Sequence, residues 1–155
     1  MAAFEEAGFS EVKTFLASGN VVFDAPSAPA AAETKRVEKG IAERSGVKAR
    51  VLLLPEARFR RIAAANPLLD DGDDFSKLMV TFLDGEVPSS IESPDADAIA
   101  PELVRFGDRA IYQWCPLGVS KSKLKPAFWK QAGEVATGRN WRTVLKLLEE
   151  LDART

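Results

Sequence analysis

The chain has 155 residues, 46% hydrophobic and 28% charged, with 21 basic against 23 acidic side chains and a pI near 5.3. That is the make-up of a globular protein able to bury about 70% of its unfolded surface, and it excludes a wholly basic nucleic-acid binder. Histidine is absent and Cys115 is the single cysteine, which excludes histidine-based nucleophile pairs, internal disulfides and multi-thiolate metal sites.

Ala2 to Ala7 reads as the last turns of a helix closed by Gly8. Val12–Ala17 and Asn20–Asp24 read as strands about a Ser18-Gly19 turn. After a Pro/Ala/Ser connector, Ala31–Ser45 is helical, with Val37 and Ile41 one turn apart and Gly46 as C-terminal cap. Val47–Leu54 alternates as a strand up to Pro55, and Glu56–Ala65 is a short helix presenting Phe59, Ile62 and Ala63 before Asn66-Pro67. The acidic loop Asp70–Asp74 lacks the ligand spacing and terminal Glu of an EF-hand and reads as solvated. A strand over Lys77–Leu83 follows.

Pro88, Pro94 and Pro101 punctuate a loop with one helical turn near Ala96. Leu103–Phe106 and Ala110–Cys115 form a second hairpin turning at Gly107-Asp108, where Cys115 behaves as a small buried hydrophobe. Pro126 suits the first position of a helix running to about Ala132. Asn140 caps a last helix whose inner face is Trp141, Val144, Leu145, Leu148 and Leu151. No apolar run reaches transmembrane length, and Met1 opens no signal peptide. A cytoplasmic protein is expected, with no membrane association, metal or cofactor.

Strand, helix, hairpin, helix is the split βαβ order, with helices covering one face of a sheet. The expected fold is therefore α+β: two ferredoxin-like halves with mixed or antiparallel sheets and a C-terminal helix. Residues 1–66 form the first half, lacking its opening strand, and residues 67–155 the second; the alternative is one compact unit. The missing strand would leave a sheet edge or groove uncovered, open to a protein partner or a second copy, and it raises the question whether Met1 is the true start.

Charge is segregated. Between Gly118 and Leu148 stand Lys121, Lys123, Lys125, Lys130, Arg139, Arg142 and Lys146 against Glu134 alone. The remainder holds fourteen basic and twenty-two acidic residues, so a segment of +6 adjoins a body of −8. A concentrated positive field selects anionic partners. The loop Pro116–Lys123 joins a strand to a helix, and its backbone N–H groups, hydroxyls and ammonium groups suit a phosphate or carboxylate, although it lacks the P-loop ending. Arg139 has no local structural duty beside the last helix, whereas Asn140 serves as its cap. The anion candidates are thus Ser120, Lys121, Lys123, Arg139 and Asn140, with a solvated basic surface as the alternative. Ser18-Gly19-Asn20 is accounted for by turn chemistry.

Three stretches, Thr14 to Phe23, Ser120 to Leu124 and Thr137 to Val144, resemble the bacterial family catalogued as domain of unknown function 1697. The Ser-Gly-Asn-Val-Val-Phe hairpin and the Arg-Asn-Trp-x-Thr-Val helix start are the most specific parts. The resemblance implies a fold of two ferredoxin-like α+β halves and no established activity. Members begin earlier, with a strand and a Gly-rich loop ahead of a Met that matches Met1, and often carry Asn where this chain has Leu117.

Three functions are compatible with the residues. The first is a binding module in which the basic segment engages a phosphate-bearing or other anionic ligand, including nucleic acid, with Trp129 available for stacking. The second is an enzyme on a small phosphorylated or carboxylated metabolite. Its catalytic residues are unassigned, since the base would have to be Asp, Glu or Lys and no paired carboxylates stand out. The third is a protein–protein adaptor using the uncovered edge. The sequence favours binding over catalysis.

Overall fold

Glycines and apolar spacing place the first helices where the sequence suggests. In the computed structural model, which describes residues 2–15, 19–27, 30–133 and 135–154, α1 (Ala2–Glu6) is followed by an antiparallel hairpin of β1 (Ser10–Phe15) and β2 (Asn20–Asp24). Then α2 (Ala31–Ser45) ends at Gly46, whose φ of 72° is the left-handed cap geometry that glycine adopts without strain. Ser18, central to the expected turn, lies outside the described residues. Phe4, Phe9 and Val37 form the buried core here, joined by Phe23, Val51 and Leu53. The Phe9 and Phe23 rings stack at 4.3 Å. Where α1 meets α2, a Cβ on Gly40 would fall 2.9 Å from that of Ala3, so only glycine permits the approach.

Residues 47–54 depart from expectation: they form no strand and join no ladder among the described residues. Of the side expected to face inward, Val51 and Leu53 pack on the phenylalanine cluster, but Val47 is exposed. A strand also needs a neighbouring backbone with open donors and acceptors. In place of one, the Val51 N–H donates to the Glu38 carboxylate on α2 at 2.8 Å.

The chain divides into two units, Met1–Arg58 with Leu147–Thr155, and Phe59–Lys146. The second contains the larger sheet. After α3 (Glu56–Ala64) come β3 (Leu78–Leu83), the single turn α4 (Ala96–Ile99), β4 (Leu103–Gly107), β5 (Ala110–Trp114), α5 (Pro126–Gln131) and β6 (Ala136–Asn140). The strands lie in the order β4-β5-β3-β6, every pair antiparallel. With β3 central and the fourth strand beside it, this is the split βαβ topology. The fold is α+β, as expected.

Pleating sends alternate side chains to opposite faces. On one face Leu83 and Ile111 pack with Phe128 and Ala132. On the other, Phe82 stacks on Phe59 at 5.4 Å, and the Tyr112 hydroxyl donates to the Ile62 carbonyl at 2.7 Å. Ile62 lies in the last turn of α3, where carbonyls lack helical donors. The hairpin turns at Asp108-Arg109, one residue later than predicted; Gly107 closes β4 against the Tyr112 ring, and Arg109 takes φ 58°.

β6 is a strand that neither spacing nor composition signals. Its residues, Ala-Thr-Gly-Arg-Asn, include only one good strand former, Thr137, and antiparallel pairing with Met79–Leu83 of β3 holds them. Asn140 ends β6 and caps α6 (Trp141–Ala153), its Oδ1 accepting from the Thr143 N–H at 3.0 Å. Trp141, Thr143 and Val144 are the buried residues of α6. Leu145, expected on the inner face, is exposed, at the margin of the stripe about 40° beyond Trp141 and about 100° from Val144. Among the described residues no helix is long and apolar enough to cross a membrane.

Candidate functional site

The basic segment begins where β5 runs out. Cys115 continues the ladder, donating its N–H to the Lys77 carbonyl at 2.9 Å, and its side chain is fully buried. Burial, reinforced by Glu102, pushes its thiol up to about 12, so it is no nucleophile at neutral pH. Gly118 then allows a sharp bend with φ 101°, and Val119–Lys121 form a single 3-10 turn ahead of α5.

The backbone donors of this loop are largely committed. Gly118 N–H bonds to the Cys115 carbonyl, Lys121 N–H to that of Gly118 and Ser122 N–H to that of Val119, at 2.9 to 3.1 Å. Leu124 N–H bonds to the Ser122 hydroxyl at 3.2 Å. Lys123 N–H donates to the Glu102 carboxylate, and the Ser122 hydroxyl donates to its other oxygen at 2.9 Å. An anion does occupy the turn, and it comes from this chain: Glu102 is 5% exposed. Sequence reasoning missed it because an isolated Glu after Pro101 carries no local signal of such a partner.

The sequence candidates take separate positions. The Lys123 ammonium donates to the Ala100 carbonyl at 2.7 Å, just ahead of β4. Arg139 lies on β6 opposite Val80, half-buried, with Nη1 donating to the Gly138 carbonyl at 2.8 Å; burial lowers its pKa. Arg139 thus stands on the β6 edge of the four-stranded sheet, whereas Lys123 is bonded beside the start of β4, the strand at the other edge. They form no compact pair. Asn140 is a helix cap. Ser120 and Lys121 are exposed on the 3-10 turn.

Lys121, Lys125 and Lys130 are exposed, and none has a side-chain hydrogen bond or ion pair among the described residues. Trp129, between the last two, is half-buried against the core with its ring edge-on to Phe128 at 5.0 Å. Trp141 is buried.

A second charged region lies in the first unit, around an open cleft of about 520 Å³ lined by Glu11, Val12, Lys13, Asp24, Glu150 and Arg154. Glu150 accepts from Lys13 at 2.8 Å and from Arg154 at 3.1 Å, and Arg154 also reaches Asp24 at 3.2 Å. Hydrogen bonds from Lys13 and Arg154 hold the Glu150 carboxyl below its ordinary value. These charges satisfy one another, so the cluster ties the end of α6 to the first hairpin. In the acidic loop, Asp74 accepts from the Ser76 N–H and hydroxyl, which lowers its pKa. Among the described residues no group of three His, Cys, Asp or Glu could hold a metal ion.

A family model described as "Protein of unknown function (DUF1697)" matches residues 1–112, so the basic segment lies beyond the matched span. The solved structure of a conserved bacterial protein from Streptococcus pneumoniae is similar, with a TM-score of 0.67 and 19% identity over 97% of this chain and 86% of that one. At that identity the likeness speaks to fold alone. No curated protein matches the sequence.

Proposed function

The chain belongs to the family described as "Protein of unknown function (DUF1697)", and on that footing we propose that it is a binding module for a phosphate-bearing anionic ligand, engaged by the loop 116–125 and α5. The observation that carries the reading is the set Lys121, Lys125 and Lys130, exposed within ten residues and unpaired among the described residues. No acidic residue stands between Asp108 and Glu134 to neutralise them. Ser120 adds a hydroxyl beside Lys121. Lys123 and Asn140 support the region by shaping the loop and the last helix, while Arg139 lies on another edge of the sheet.

The central strands β3 and β5 are buried along nearly their whole length, so an open sheet for stacking bases is not part of this reading. Single-stranded oligonucleotide and inorganic tripolyphosphate are suitable probes. Three lysines give an expected log–log salt slope of about −2 for the oligonucleotide, and Lys121→Ala/Lys125→Ala/Lys130→Ala together should abolish it. A flat salt response, or full binding by the triple variant, counts against the reading. A protein-adaptor reading draws on Leu117 and Val119, exposed at 57% and 40% in the same loop; their replacement by Ser would leave phosphate binding intact but remove a protein contact.

A further inference from the structure

The loop after β5 is fastened unevenly. Among the described residues, residues 116–121 make only local backbone bonds, and Leu117, Val119, Ser120 and Lys121 all face water. The far end, in contrast, is tied down by Glu102 through the Ser122 hydroxyl and the Lys123 N–H, with the Lys123 ammonium on the Ala100 carbonyl beside it. Beneath lie Gln113 and Cys115, 4% and 0% exposed. The Gln113 amide donates to the Ser122 hydroxyl at 3.4 Å and to the Cys115 sulfur at 3.5 Å, and that sulfur is 4.0 Å from Glu102. At the near end, Gly118 has the positive φ that lets a backbone swing without side-chain obstruction.

We propose that residues 116–123 are a strap latched by Glu102 over the Gln113–Cys115 pair, and that the strap opens about Gly118 while the sheet stays folded. The latch is stronger than an ordinary loop contact because a carboxylate accepts both bonds, and charge-assisted bonds are worth roughly twice neutral ones. It is also a single point of failure. Without Glu102 the strap keeps its local turns, the long Gln113–Ser122 bond and the Lys123–Ala100 bond, and loses both charge-assisted bonds. Opening exposes the single thiol, and this holds independently of the anion-binding reading.

The thiol is therefore the reporter. Reaction of the intact protein with Ellman's reagent should be slow but nearly independent of urea at low concentrations, because strap opening exposes little surface compared with unfolding. Glu102→Gln should speed labelling about 10- to 100-fold. Ser122→Ala, which keeps the carboxylate and the Lys123 N–H, should speed it less, and it serves if the Glu102 variant fails to fold. Tyr112→Phe removes a hydrogen bond on the opposite sheet face and should leave the urea-independent rate unchanged. Two results overturn the proposal: labelling whose urea dependence equals that of global unfolding, or equal acceleration by Tyr112→Phe and Ser122→Ala.

Discussion

Tyr112 is the only tyrosine, which makes one buried hydrogen bond unusually easy to follow. Its hydroxyl serves an orphan carbonyl of α3, and burial together with Asp108 raises the phenol from 10.0 to about 12. A group whose folded pKa is raised contributes stability that is fully present below the unfolded value. That contribution is lost as pH rises from about 10 through about 12. Phenolate absorbance in the folded protein should titrate near 12, and near 10 in denaturant. Tyr112→Phe should cost about 1–2 kcal/mol by urea unfolding. Of the functional candidates, Cys115 was legible as a core residue because an aromatic run surrounds it. Glu102 was not, since its donors lie 20 and 21 residues away.

Among the elements, capping chemistry is the clearest success. Asn140 caps α6 as its position before an apolar stripe predicts. Asn140→Ala should cost about 1 kcal/mol in a denaturation experiment, while Asn140→Asp should be nearly neutral. The same residue also closes β6, a strand invisible in composition. The strand expected at 47–54 shows the reverse: Val51 and Leu53 of its expected inward side reach the core, Val47 does not, and no ladder forms among the described residues. Alternation reports which side chains face inward, and pairing depends on what backbone lies alongside. The turn Asp108-Arg109 slipped by one residue for a similar reason, since Gly107 is needed where β4 passes the Tyr112 ring.

At the scale of the molecule, charge shapes the pH response, and the proposed ligand class is argued from it. Glu150 and Asp74 are held below their ordinary values by hydrogen bonds from Lys13, Arg154 and Ser76. Depressed carboxyl pKa values give stability that is present above the unfolded value, about 4.5 for Glu150, and lost as pH falls through the lower folded one. Thermal melts of Glu150→Gln should lie below wild type at neutral pH and converge with it in acid. The +6 segment takes a narrower form: Lys121, Lys125 and Lys130, unpaired among the described residues, lie on one loop and one short helix, and its tryptophans belong wholly or partly to the core.

From sequence alone came the α+β class, the helices with their caps, the second hairpin, the inert cysteine and the segregation of charge. All of these rest on local spacing or on composition. Only the tertiary structure decided that Glu102 fills the turn beside Lys123, that Lys123 lies beside one edge strand and Arg139 on the other, and that Ala136–Asn140 is a strand. Each depends on which distant residues pairing brings together, and no local pattern records a partner that lies across the sheet.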